Sequence, residues 1–193
     1  EKMYEIIQNH IKSLDKNKQR IIEEAMNISK EYFSLKLNDK EVPEELTLLF
    51  KDVDENILKK LREITFGKNI RIMTSGAASL HPDIAQFFMK LGRPIYEAYG
   101  LTENISVSMN RPNKHKICTV GVAFPYCTIK LADDGEIMIQ SPGMFPGYYN
   151  DSTADGEIFD ESRKWICTGD LGSVDDDGFL KIIGRKKELI ITS

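Results

Sequence analysis

The stretch Ile70-Arg71-Ile72-Met73-Thr74-Ser75-Gly76-Ala77-Ala78-Ser79 decides the fold, together with two later segments: Pro82 through Leu91-Gly92, then Pro94-Ile95-Tyr96-Glu97-Ala98-Tyr99-Gly100. Ile70–Thr74 reads as a short strand that ends in small residues. Pro82 suits the first turn of a helix carrying Ile84, Phe87, Phe88 and Leu91 on one face, and Gly92 stops it. Pro94–Tyr99 reads as the next strand. A strand, a helix and a second strand predict a right-handed parallel crossover, with Ser75 and Tyr99 at neighbouring strand ends. Ligands in open α/β sheets bind at such ends.

Upstream of Lys68 the pattern is helical. Met3, Ile6, Ile7, Ile11 and Leu14 recur at helix spacing, with His10 on the same face as an ordinary interfacial histidine. After the polar break Asp15-Lys16-Asn17-Lys18 come Ile21, Ile22, Ala25 and Met26. Asp52 with Glu55 is the expected cap of a helix carrying Ile57, Leu58, Leu61 and Ile64. Downstream of Gly121 the pattern turns β-rich. Asp133-Asp134-Gly135 separates Thr128–Leu131 from Glu136–Ile139, a hairpin signal. Asp175-Asp176-Asp177-Gly178 repeats the device before Phe179–Ile183. That acidic run lacks the spacing of a calcium loop and reads as a solvated turn. The fold class is therefore α/β: a helical first third, a parallel-strand crossover, then a β-rich portion.

Composition bounds the function. The chain has 193 residues, 41% hydrophobic and 29% charged, and a net charge of -4. A basic excess that would neutralise nucleic-acid phosphates is absent, so nucleic acid is excluded as a partner. No apolar stretch approaches the roughly 20 residues of a membrane span. Cys118, Cys127 and Cys167 have no metal spacing and read as reduced, partly buried thiols of a cytoplasmic protein.

Chemistry-bearing runs succeed one another in a fixed order: Ser75-Gly76-Ala77-Ala78; Tyr99-Gly100-Leu101-Thr102-Glu103; Gly135-Glu136-Ile137 with Ser141-Pro142-Gly143 and Gly147-Tyr148; Trp165-Ile166-Cys167-Thr168-Gly169-Asp170; and Gly184-Arg185-Lys186-Lys187-Glu188. Each run alone is weak. A Tyr-Gly turn, an Asx turn at Asp170 or a solvated basic cluster would account for it. The ordered series resembles the adenylate-forming enzymes: acyl-CoA synthetases, luciferases and peptide-synthetase adenylation domains. The ending Lys187–Ser193 is most similar to long-chain and bubblegum-type fatty acyl-CoA synthetases.

That resemblance implies a two-step reaction. A carboxylate attacks the α-phosphate of Mg·ATP to give an acyl-adenylate, and the thiol of coenzyme A then displaces AMP. The implied catalytic residues are Thr102, donating to an α-phosphate oxygen, and Glu103, holding Mg²⁺. The implied nucleotide-binding residues are Gly76, Ala77, Ala78, Tyr99, Gly100, Thr102, Asp170 and Arg185. Among these, Tyr99 offers a ring face to adenine, Gly100 a sharp turn beside the nucleotide, and Asp170 and Arg185 a ribose contact. Lys187 matches a hinge about which a small C-terminal domain rotates. The family commonly has Gly at position 77, Pro at position 79 and Gly at position 98, where this chain has Ala77, Ser79 and Ala98. Trp165 is assigned to packing, and the Gly135–Tyr149 stretch, a hairpin strand followed by Pro/Gly turns, mainly to structure.

A Ser/Thr/Gly-rich phosphate loop followed by Lys is not found in the sequence, and neither is a domain after the hinge. Residues 1–193 are accordingly expected to be the second half of an AMP-binding domain, without the small C-terminal domain and inactive in isolation. ATP, Mg²⁺, coenzyme A and a fatty acid are the expected ligands of the parent enzyme. Peripheral membrane contact is expected for that enzyme. Self-association is expected for this piece, through helices carrying Met3, Ile6, Ile7, Ile21 and Ile22 or the Ile70 and Ile95 strands. The alternatives are an adenylation domain that loads a carrier protein, a shorter-chain acid ligase, a non-catalytic nucleotide-binding module, or a helical interaction protein resting on residues 1–66.

Overall fold

The structure, a computed structural model, describes residues 1–188. The final Leu189–Ser193 of the ending that resembles fatty acyl-CoA synthetases lies outside the described residues. The described residues divide into two compact units: residues 1–75, 79–96 and 111–117, and residues 76–78, 97–110 and 118–188.

The first unit is built from α1 (Lys2–Ser13), α2 (Lys16–Lys36), α3 (Glu44–Val53), a π-helical turn (Asp54–Leu58), α4 (Lys59–Phe66), β1 (Met73–Ser75) and α5 (Pro82–Lys90). The polar break before α2 is its cap: the Asp15 carboxylate accepts the Lys18 N–H at 3.0 Å. In α5, Pro82 occupies the first turn as predicted, and the His81 ring accepts the Asp83 N–H at 3.3 Å. The helix ends in a Schellman closure, with the Gly92 N–H on Met89 O and the Arg93 N–H on Phe88 O. β1 and β2 (Ile95–Leu101), joined through α5, form the expected parallel pair. The apolar faces meet in a core of Ile7, Ile22, Ala25, Met26, Val53, Leu58, Leu61, Ile84, Phe87, Phe88, Leu91 and Ile95.

Several expectations change here. Asp52 caps nothing. It lies inside α3, whose axis continues through the π turn into α4, and its carboxylate accepts from Asn56 Nδ2 at 2.8 Å. The helix begins at Glu44 behind Pro43, where Glu44 and Glu45 suit the positive end of the helix dipole. The π turn carries Asp54, which holds Arg62 at 2.5 and 3.0 Å, and Arg62 also donates to Leu91 O at 2.9 Å. Arg62 is only 3% exposed, so this pairing is what makes its burial tolerable. His10 faces solvent rather than an apolar neighbour. Of the apolar residues expected to be exposed, Ile7, Ile22 and Ile95 are core residues, whereas Met3, Ile6 and Ile21 are exposed. Among the described residues no helix is long and apolar enough to cross a membrane.

His115 is buried in this unit and bonds to Ile95 O at 3.0 Å, so its Nε2 carries the proton. Burial holds its pKa below the ordinary 6.5, partly offset by that bond. The unfolded chain therefore binds a proton more readily than the folded one. Stability is complete above the unfolded value, falls as pH drops through it, and levels off below the depressed folded value. A melting series from about pH 7.5 to 5.5 should show this loss, and His115→Gln should flatten it.

The second unit contains the continuation of β2, β3 (Asn104–Met109), β4 (Val122–Ala123), β5 (Thr128–Leu131), β6 (Glu136–Gln140), α6 (Ser152–Ile158), β7 (Ile166–Val174) and β8 (Leu180–Arg185). β2 pairs antiparallel with β3, and β3 with β4. β5-β6-β7-β8 form an antiparallel meander. Both acidic Gly-ended runs are hairpin turns, as expected. At the second, Asp175 Oδ1 accepts the N–H groups of Asp177 and Phe179 at 3.1 and 2.9 Å, an Asx turn. α6, which periodicity did not reveal, is capped by Asp151 accepting the Ala154 N–H at 3.0 Å. Val107, Cys127, Ile137, Ile139, Ile166 and Leu180 form the core. Full burial of each aliphatic side chain contributes about 1.5–3 kcal/mol. All three cysteines are free, and Cys118 is exposed, which corrects the expectation of partial burial for that thiol.

Candidate nucleotide site

The site residues lie in the second unit, on the β2–β3 hairpin, the Gly76–Ala78 run, the loop after β6, and the β7–β8 pair. β2 does not stop at Tyr99, as the sequence suggested. It runs to Leu101 and folds back at Asn104, which leaves Thr102 and Glu103 as the two turn residues. The register shift between Tyr99 and Leu101 sets Ile105, Ser106 and Val107 of β3 against Gly100 alone, so the bulge lies on β3 opposite Gly100. A Cβ at Gly100 would sit 1.9 Å from Ile105 O and 3.2 Å from Asn104 O. Gly100 is thus required by the closeness of the returning strand, a reason other than the nucleotide approach that the resemblance implies. Thr102 is exposed and Glu103 half-buried, so the hydroxyl and carboxylate stand at the tip of a tightly held turn.

The turn has a second support. The Phe145 N–H donates to Glu103 O at 2.8 Å, and Asn104 Nδ2 donates to Ser141 Oγ at 2.8 Å. Ser141 Oγ also accepts the Gly143 N–H at 3.1 Å. The Tyr148 hydroxyl donates to Glu103 Oε1, and this bond pushes the Tyr148 phenol up to about 12. The stretch from Gly135 to Tyr149, assigned mainly to structure, therefore also reaches the candidate metal ligand. No periodicity marks Tyr148; only the fold brings it there.

Asp170 is 7% exposed and held on both oxygens. The Tyr99 hydroxyl donates to Oδ2 at 2.5 Å and Arg185 Nε to Oδ1 at 3.0 Å. Burial, then the bond to Asp170, raises the Tyr99 pKa well above its ordinary value, so the phenol remains a donor. The Arg185 side chain is 61% exposed. Its ion pair therefore adds little stability, and its consequence is orientation. Three of the predicted residues, distant in sequence, are in contact.

Gly76, Ala77 and Ala78 are exposed and belong to the same unit as Tyr99. A Cβ on Gly76 would lie 3.3 Å from Ala98 O, so the run passes close to β2. Ala77 has φ +65°, a left-handed conformation that costs a non-glycine residue about 1–2 kcal/mol. Allowing for the greater unfolded-state entropy of glycine, Ala77→Gly should stabilise by about 0.5–1 kcal/mol, seen as a higher melting temperature. Lys187 lies on an exposed 3₁₀ turn, Lys186–Glu188. The ring of Trp165 is covered by Lys130 Nζ at 4.1 Å, in keeping with a packing role.

Residues 14–149 match the AMP-binding enzyme family. The long-chain-fatty-acid–CoA ligase FadD15 of Mycobacterium bovis is 42% identical over 141 residues, which is 72% of this chain and 23% of that protein. The long-chain-fatty-acid–CoA ligase ACSBG1 of Rattus norvegicus is 39% identical over 124 residues, covering 61% of this chain and 17% of that one. O-succinylbenzoate coenzyme A synthetase (MenE) from Bacillus subtilis, solved in complex with ATP and magnesium ion, aligns with a TM-score of 0.60 at 26% identity. The alignment covers 75% of this chain and 31% of that structure. The chain thus spans about a quarter of the length of curated relatives such as FadD15. With more than half of its residues matched, the chain belongs to the AMP-binding enzyme family.

Proposed function

We propose that residues 1–193 are the second half of the adenylation domain of an AMP-forming fatty acid–CoA ligase, and that they bind the adenosine and α-phosphate of ATP. The observation that carries this reading is the clamp on Asp170. A carboxylate has about four acceptor directions. Tyr99 and Arg185 use one on each oxygen. One per oxygen remains, a pair suited to the 2′- and 3′-hydroxyls of ribose. The bond from its hydroxyl fixes the Tyr99 ring, which gives adenine a stationary face, with the small residues Gly76–Ala78 as the other wall. Thr102 donates to an α-phosphate oxygen from the turn.

Glu103 fits a Mg²⁺ site. It is a hard oxygen donor with Oε1 taken by Tyr148 and Oε2 left over, and Mg²⁺ usually takes one or two carboxylates with phosphate oxygens and water. When bound there, the ion supplies neutralisation of the charge on the phosphates. The reaction needs no covalent enzyme intermediate, so the chain contributes position and charge. The fatty acid attacks the α-phosphorus, pyrophosphate leaves, and the coenzyme A thiol displaces AMP. The names of the relatives support a fatty acid as the carboxylate. Our reading includes Lys187 as the hinge of the parent enzyme, a cytoplasmic location with peripheral membrane contact, and self-association of this piece through Met3, Ile6 and Ile21.

Nucleotide titration tests the reading. The chain should bind AMP, and Mg²⁺ should tighten ATP but not AMP. Glu103→Ala should abolish the Mg²⁺ effect while leaving AMP affinity within about twofold. In the full-length protein the same change should lower kcat by roughly 10²-fold. A chain indifferent to AMP and ATP at millimolar concentration would end the proposal.

A further inference from the structure

β6 and β7 are out of register around the site. Glu136 pairs with Leu171 and Met138 with Cys167, so three residues of β7, Thr168, Gly169 and Asp170, face Ile137 alone. An insertion of this kind breaks the ladder and redirects side chains. It also leaves backbone groups that must find other partners. Two side chains supply them. The Thr168 hydroxyl donates to Ile137 O at 2.8 Å and accepts the Asp170 N–H at 3.1 Å. Glu136 Oε1 accepts the Gly169 N–H at 2.9 Å. Gly169 has φ +70°, a conformation that a regular ladder would not hold and that an added bond fixes.

The other oxygen of Glu136 is also used. Lys186 Nζ donates to Glu136 Oε2 at 2.7 Å and to Asp134 Oδ2 at 2.6 Å. These two acids raise the Lys186 pKa and keep it charged. Lys186 directly follows Arg185, which holds Asp170. One carboxylate therefore ties the backbone on one side of Asp170 to the chain that carries its arginine.

We propose that Glu136 is a positioning residue for nucleotide binding: by replacing the missing rung at Gly169, it holds Asp170 in the orientation that accepts both ribose hydroxyls. The proposal rests on the ribose role of Asp170. It differs from a purely structural clasp in one respect. A clasp would affect stability or all ligands alike, whereas a positioning residue affects the part of affinity that depends on the ribose diol.

The test compares AMP with 2′-deoxy-AMP and 3′-deoxy-AMP by calorimetry on the 193-residue chain, alongside amide hydrogen exchange at Gly169. Glu136→Ala should weaken AMP roughly five- to tenfold, leave the deoxy analogues nearly unchanged, and speed exchange at Gly169. Glu136→Gln keeps an acceptor for the Gly169 N–H and should retain the AMP preference within about twofold. Should Glu136→Ala not fold, Glu136→Gln decides alone: loss of the preference there as complete as in Asp170→Ala overturns the proposal. Equal weakening of all three nucleotides by Glu136→Ala, or no change at all while Asp170→Ala loses the preference, also overturns it and leaves the ribose reading standing. A wild-type chain with no preference for AMP over the deoxy analogues overturns the ribose reading and this proposal together.

Discussion

Asp170→Ala should reduce AMP affinity by roughly 10²–10³-fold, the largest loss of binding expected from any single change in the chain. Each hydrogen bond to a charged group contributes about 1.5–3 kcal/mol, and two are removed at once. About 1.4 kcal/mol corresponds to a factor of ten, so even partial additivity gives two decades. The change also strips the Tyr99 hydroxyl and Arg185 of their shared acceptor. Tyr99 is half-buried, so its ring loses its anchor and the adenine contact weakens with the ribose contact. Asp170→Asn keeps one oxygen and the side-chain shape but loses the charge that attracts Arg185, and it should fall between alanine and wild type. Calorimetry with AMP and 3′-deoxy-AMP checks both. Equal affinity of wild type and Asp170→Ala for AMP would remove Asp170 from the ribose site.

Gly100→Ala should have the largest effect on stability. Its methyl carbon would lie 1.9 Å from Ile105 O and 2.6 Å from the carbonyl carbon behind it, far inside van der Waals contact. Both obstacles are backbone, so no rotamer change relieves them. The returning strand has to move, and with it the Leu101–Asn104 closure that holds Thr102 and Glu103 at the tip. A loss above about 4 kcal/mol belongs to this kind of forced overlap. Chemical denaturation should show the second unit unfolding early or failing to assemble, with Mg·ATP binding lost alongside. A variant that melted within a degree of wild type would mean that β2 and β3 do not approach as described.

The legible part of this protein was local. Helix periodicity marked α1, α2 and α5, and Pro82 and Gly92 bracketed α5. Two Gly-ended acidic runs marked the hairpins of the meander. The expected cap at Asp52 failed because a π turn carries the helix through that point. The turn also brings Asp54 to Arg62, itself bonded to the end of α5, a contact that no local pattern shows. The strand ending expected at Tyr99 failed because extended residues look the same before and after a bulge. Only the pairing of Leu101 with Asn104 shows where the chain reverses.

By itself the sequence determined the order of the chemistry-bearing runs and the residue types in each: a hydroxyl and a carboxylate at 102 and 103, an aromatic ring at 99, an acid at 170 and an arginine at 185. Those are covalent facts, and neighbouring residues suffice to read them. Tertiary structure decided which of these residues meet. Tyr99 and Asp170 are 71 positions apart, Glu103 and Tyr148 45, and Glu136 and Gly169 33. Patterns of period 2 or 3.6 extend only along one element, whereas a hydrogen bond depends on two elements arriving within about 3 Å. Tyr148, Glu136 and Thr168 stand within the ordered runs, but the partners they meet had no signature in the sequence. These contacts exist because a bulged hairpin and a register shift leave backbone and side-chain groups that need partners, and the fold brings those partners into place.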